Sequence, residues 1–274
     1  MSEMDEKLMK SQNPAKKSHL LSYSENQEPL IKPNLSRFWQ GVFDYSFLRM
    51  LGRIFYSMRV KSSSNFDLRD KKFANIAFAS HCGWWDGPVG YLLFRKIFNA
   101  RMFMMIEELY RFPLLSKIGG LSVEKNSPRS ALKALNYSVK LLKNPENSLW
   151  LFPQGIVYPP DYRPVRFAKG MSFICKRLDG INLIPIAHRY NFIREDKPEI
   201  FVEVGKPIIL KGNNQDSKEL TAYLENVLSS LLDSQRDDIS NGRFDGYEYF
   251  FKSKLCLAKR IEERFTGFVR TFDI

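Results

Sequence analysis

FANIAFASHCGWWDGP, residues 73–88, is the stretch that decides the architecture. Phe73 to Ser80 is a short apolar run of the kind that forms a buried strand. His81, Cys82 and Gly83 follow, then Trp84-Trp85-Asp86-Gly87, and Pro88 suits the first turn of a helix. Further along the chain, Ala100–Glu107, Ser148–Phe152, Ile181–Ala187 and Glu199–Val204 read as further strands. Between them, Ser127-Pro128 is an N-cap and first-turn pair for a helix that places Leu132, Leu135, Val139 and Leu142 on one face. Asp216 with Glu219 forms a capping-box pattern ahead of Leu220, Leu224, Val227, Leu228 and Leu231. Alternating strands and helices predict an α/β fold with a mostly parallel central sheet flanked by helices.

Composition bounds the rest. The 274 residues carry 42 Lys+Arg against 30 Asp+Glu, a net charge of +12, and 44% are hydrophobic. A wholly disordered chain is excluded, and the charge points to an anionic partner. The longest uninterrupted apolar run, Met102 to Ile106, is far below the roughly 20 residues of a spanning helix. Ser2 to Lys10 mixes charges and lacks the apolar region of a secretory signal. The expectation is a protein on the cytoplasmic side. Cys82, Cys175 and Cys256 are too widely spaced for a disulfide framework or a zinc site and are expected as reduced thiols.

Four segments are expected. Residues 1–35 read as a flexible tail whose charges cancel, so the whole +12 belongs to residues 36–274. Residues 36–61 mix large apolar side chains with Arg37, Arg49, Arg53, Arg59 and Lys61 and read as one or two amphipathic helices. Such a segment suits the headgroup layer of an anionic bilayer, and equally a helix packed on the core. Residues 62–235 form the main domain. Residues 236–274 form a C-terminal amphipathic extension, read either as a second surface-binding element or as a docked terminal helix.

His81 and Asp86 are the first candidates for chemistry. Of three histidines, His19 lies in the tail, and His81 stands at the carboxyl end of a strand, where function commonly sits. Residues five apart on a straight helix point away from each other. A contact between His81 and Asp86 therefore needs a bend, which Gly83 eases. The carboxylate then accepts from one ring nitrogen and fixes the tautomer, leaving the other nitrogen to take a proton from a hydroxyl. Cys82 as a nucleophile is disfavoured because sequence neighbours point apart. His188 reads as a structural histidine or a pocket-lining one. Trp84 and Trp85 read as one bilayer-facing and one core residue. A basic, aromatic-rich chain is also compatible with nucleic-acid binding, but no nucleic-acid motif or Gly-rich phosphate loop is present.

These residues resemble the NHxSxxD block of the PlsC-like glycerolipid acyltransferases, also called lysophosphatidic acid acyltransferases. Three further blocks follow in the family's order. Glu108-Leu109, Pro113 and Gly119-Gly120-Leu121-Ser122-Val123-Glu124-Lys125 are similar to the second. Phe152-Pro153-Gln154-Gly155 is similar to FPEG, trailed by Phe167, Lys169 and Gly170 as in FxKG. Ile184-Pro185-Ile186-Ala187 is similar to VPV. The resemblance covers residues 36–232. Ser80 stands for the family's Asn, Gly83 for its Ser, Lys125 for its Arg and Gln154 for its Glu, so the side-chain hydrogen bonds that would brace the His loop are lost or supplied elsewhere. Lys125 keeps a charge but not a bidentate fork.

The resemblance implies acyl transfer from acyl-CoA or acyl-ACP, as co-substrate, to the hydroxyl of a lysophospholipid or glycerol-phosphate lipid, with His81 as general base and Asp86 holding it. It implies no metal and no other cofactor. Lys125, Gln154, Gly155, Arg163, Arg166 and Lys169 are the candidate substrate-binding set, with backbone N–H groups near Gly155 as oxyanion donors. The expected partners are an anionic membrane surface, a lipid acceptor and acyl carrier protein, without nucleic acid. The expected place is the cytoplasmic face of the membrane, peripheral or monotopic. A lipid alcohol without phosphate, such as a glycolipid or glycosylated pigment, is the alternative acceptor. A non-enzymatic membrane- or nucleic-acid-binding protein is the alternative outside enzymes.

Overall fold

The run around Ile76 lies at the centre of the sheet. In a computed structural model of the chain, residues 29–124, 127–193, 195–212 and 216–254 are described. Strand β2 (Asn75–Ala79) is buried at every residue. It lies parallel to β5 (Asn147–Leu151) on one side and to β6 (Gly180–Asn191) on the other. Burial on both faces is what an unbroken apolar run predicts for a parallel strand. With β1 (Ser57–Lys61), β3 (Arg101–Ile106), β4 (Gly120–Ser122), β7 (Glu199–Val204) and β9 (Tyr247–Lys252), the order is β4-β3-β5-β2-β6-β7-β1-β9. β8 (Ile208–Lys211) pairs antiparallel with β6. β6 with β7 and β1 with β9 are also antiparallel, and the remaining pairs are parallel.

Alternation along β2 divides the core into two layers. Ala77 and Ala79 join one cluster with Phe47 and Leu51 of α1 (Arg37–Ile54), Val89 and Leu92 of α2 (Asp86–Leu92), and Trp150. Ile76 and Phe78 join the other, with Val139 of α3 (Pro128–Leu141), Ile174 of α4 (Gly170–Cys175) and Leu220, Leu224 and Leu228 of α5 (Ser217–Ser240). Gly90 lets α2 approach the sheet, because a Cβ there would lie 2.5 Å from Trp150 Cε2. Both anticipated caps form. Ser127 Oγ accepts from the Ser130 amide, and the Asp216 carboxylate accepts from the Lys218 and Glu219 amides.

The flanks differ from expectation. Residues 36–61 are one helix followed by strand β1, which sits inside the sheet between β7 and β9. Lys61 and Arg59 are held there by ion pairs: Lys61 with Glu203 of β7 and Asp238 of α5, and Arg59 with Glu199 of β7. Residues 31–36 are tied to the segment before β4 and to β4 itself, by the Asn34 and Ser36 amides to the Ser116 and Lys117 carbonyls and by Ile31 to Ser122. Residue 236 falls within α5, and β9 then returns to the sheet edge. Residues 1–28 of the expected tail, with His19, and residues 255–274, with Cys256, lie outside the described residues. No helix among the described residues is long and apolar enough to cross a membrane.

Candidate active site

β2 delivers the chain to the carboxyl edge of the parallel strands, and Gly83 to Asp86 forms the bend that opens α2, with the Asp86 amide donating to the Gly83 carbonyl. This folds the Asp86 side chain back over the loop. Its Oδ2 accepts from the amides of Cys82 (2.6 Å) and Gly83 (2.8 Å), and His81 Nδ1 lies 2.8 Å from the same oxygen. A carboxylate placed to accept at Nδ1 fixes the proton there and leaves Nε2 as the acceptor nitrogen. Nε2 has no hydrogen-bond partner among the described residues. The His81 side chain is 23% exposed while Asp86 is fully buried. One face of the imidazole lies flat on Phe152, ring centres 4.2 Å apart and planes 11° apart.

The loop is braced by residues that stand in for the expected Asn and Ser. Gln154 Oε1 accepts from the His81 amide at 3.1 Å, and the Tyr158 amide donates to the His81 carbonyl at 2.8 Å. Gln154 is buried, and since its oxygen faces a backbone donor, its NH₂ end is the one turned elsewhere. Gly155 takes a positive φ of 73°, where glycine is favoured, while its Cβ position is open. The Gly155 amide closes a turn on the Phe152 carbonyl, so that donor is already engaged in the fold.

Asp86 has further partners on β6 that sequence reasoning missed as parts of this site. Tyr190 donates its hydroxyl to Oδ1 at 2.7 Å, and His188 Nε2 lies 3.0 Å from the same oxygen. Burial would raise the Asp86 pKa, but the His188 charge, then the close contacts of His188, His81 and Tyr190, hold it far below the usual carboxylate range. Burial and the Asp86 charge push the Tyr190 phenol well up. The available signal was period two: His188 and Tyr190 alternate with Ala187 and Arg189, and a strand sends alternate side chains to one face.

Two of the proposed anion-binding residues have acidic partners on α5. Arg163 is committed to Asp233 on α5 and to the carbonyls of Pro160 and Tyr162. Arg166 pairs with Glu225 of α5, whose other carboxylate oxygen accepts the Phe167 amide. Both arginines thus fasten the 153–169 loop to α5. Lys169 is exposed at the N-cap of α4 with no ion pair among the described residues. Lys125 lies outside them. Cys82 Sγ lies 3.6 Å from Ser80 Oγ, and it is Asp86 that engages His81. Trp84 is 64% exposed while Trp85 packs edge-on against Phe55 of the core.

A mixed, mostly parallel sheet with a His-to-Asp turn at its carboxyl edge defines an α/β fold with a candidate dyad in the first well-buried strand-to-helix connection. This fold is similar to the crystal structure of the 1-acyl-sn-glycerophosphate (LPA) acyltransferase PlsC from Thermotoga maritima. The TM-score is 0.51 at 18% sequence identity, over 71% of this chain and 79% of that one. No protein-family model and no curated protein sequence matches the chain.

Proposed function

We propose that this chain is an acyltransferase of the glycerolipid type, moving a fatty acyl group from acyl-CoA or acyl-ACP to the hydroxyl of a lysophospholipid or glycerol-phosphate lipid. The observation that carries the reading is the pairing of His81 Nδ1 with a buried carboxylate while Nε2 has no partner among the described residues. In this mechanism Nε2 takes the proton of the acceptor hydroxyl as its oxygen attacks the thioester carbonyl. The tetrahedral adduct then collapses, the C–S bond breaks, and His81 returns the proton to the departing thiolate. Asp86 orients the ring and balances the imidazolium, a contribution of about 10²- to 10⁴-fold for the proton transfer. The likeness in fold to a lysophosphatidic acid acyltransferase supports the same reading.

One observation favours a second acceptor class. With Arg163 and Arg166 committed to Asp233 and Glu225, fewer cations are left for a substrate phosphate, which suits a lipid alcohol without phosphate. Attachment to the cytoplasmic face of an anionic membrane is supported by α1, which exposes Phe38 and Tyr45. Beside its first turn lies a cavity of about 400 Å³ lined by Arg37, Arg95 and Arg101.

The test is purified full-length protein with labelled acyl-CoA and acyl-ACP and a panel of lipid alcohols with and without phosphate. Transfer by wild type that falls at least 10²-fold in His81→Ala is the expected result. Equal rates in the two proteins would refute the general-base assignment. For the surface, the double variant Phe38→Ser, Tyr45→Ser is expected to sediment less with anionic vesicles, and unchanged retention would remove α1 from the contact.

A further inference from the structure

We propose that His188 is a positioning residue of the dyad, a buried imidazolium on the far oxygen of Asp86 that balances its charge and fixes the carboxylate against His81. The inference rests on the acyltransferase reading for its catalytic meaning, but its geometry stands apart from it.

Asp86 is fully buried and faces an imidazole on each oxygen, His81 on Oδ2 and His188 on Oδ1. The two histidines differ in access. His81 is partly exposed on the loop, whereas the His188 side chain is entirely enclosed on β6. A cation on Oδ1 balances the buried carboxylate from the side away from His81, so that Oδ2 stays on His81 Nδ1 and the two backbone amides.

The surroundings of His188 select the charged form. Its Nε2 lies 3.0 Å from Asp86 Oδ1 with both side chains fully enclosed, and an opposite charge at that range favours the charged ring. The titratable groups facing it are Asp86 at the head of α2, Cys82 in the loop before it, and Tyr190 on its own strand. Across the ladder on β7 it faces Val202. Burial alone would lower the His188 pKa, but the Asp86 charge outweighs it and pushes the value up to about 10.

The experiment is histidine NMR on the full chain, whose three histidines, His19, His81 and His188, make assignment by substitution direct. In wild type, both His188 ring nitrogens are expected to carry protons at pH 7.5. A His188 nitrogen without a proton at that pH would overturn the proposal. In His188→Gln, which keeps an N–H donor but not the charge, the acid limb of kcat/KM is expected to move by about one pH unit. A pH profile unchanged between the two proteins would likewise overturn the proposal. Absence of acyl transfer by wild type would refute the functional reading alone, because the NMR titrations need no substrate.

Discussion

Replacing Asp86 with asparagine removes the charge from the site while keeping its shape. The asparagine carbonyl can take the Oδ2 position and keep the donors there, His81 Nδ1–H and the amides of Cys82 and Gly83. Its NH₂ then faces the Tyr190 hydroxyl, which can turn to accept, and His188 loses its counter-ion. When His81 takes the acceptor proton, the imidazolium forms against a dipole instead of a full charge. With charge centres about 4 Å apart and an effective dielectric of about 20, the lost attraction is about 4 kcal/mol. That corresponds to a fall in kcat of about 10³-fold. KM for the acceptor should stay within about threefold, since the charge matters only as the proton moves. The assay is acyl transfer at saturating acceptor, with near-UV circular dichroism confirming the folded state. A folded Asp86→Asn protein with kcat within tenfold of wild type would refute the charge-balancing role.

Stability should be bounded by pH on both sides of neutrality. Asp86 has a folded pKa far below its unfolded value, so its contribution is present above about pH 4 and is lost as pH falls further. His188, raised to about 10 from 6.5, contributes fully below pH 6.5 and loses that contribution as pH rises through about 10. The Tm difference between wild type and His188→Gln should therefore shrink from pH 6.5 to pH 10, and a constant difference would contradict the ion pair. Gln154→Leu strips the His81 amide of its acceptor, costing about 1–3 kcal/mol and lowering kcat. Gln154→Glu retains an acceptor oxygen and should restore the Tm, and equal Tm losses in both variants would dismiss the brace. Gly90→Ala drives a methyl into Trp150 and should cost about 2 kcal/mol, or about 4–8 °C in Tm by calorimetry. A Tm matching wild type would mean that α2 shifts without cost.

Elements with local signals were legible in the sequence. Five strands and two helices announce themselves by apolar runs and caps, because the atoms that settle them lie within a few residues, as at Ser127 and Asp216. β1 was not legible. Ser57–Lys61 continues the cationic, apolar texture of α1, and only pairing with β7 and β9 makes it a strand. The same division runs through the site. His81 and Asp86 share a loop, so their contact was foreseeable from a bend at Gly83. His188 and Tyr190 reach Asp86 across more than a hundred residues of chain, a distance no local pattern encodes. Arg163 and Arg166 read as substrate cations because their acidic partners, Asp233 and Glu225, belong to a helix far downstream.

β1 carries a consequence for the order in which the molecule is completed. It is the first strand in chain order among the described residues, yet its two neighbours are β7 and β9, and Ser57 meets Lys252 almost two hundred positions later. As the chain leaves the ribosome, β1 waits with both edges unpaired, and the aromatic helix ahead of it waits for part of its packing. Such long-range pairing slows folding and leaves apolar surface open to capture in the interval. A membrane surface or a chaperone has its longest opportunity to engage α1 before residues 199–204 emerge, while the His81 loop can already be forming against β5.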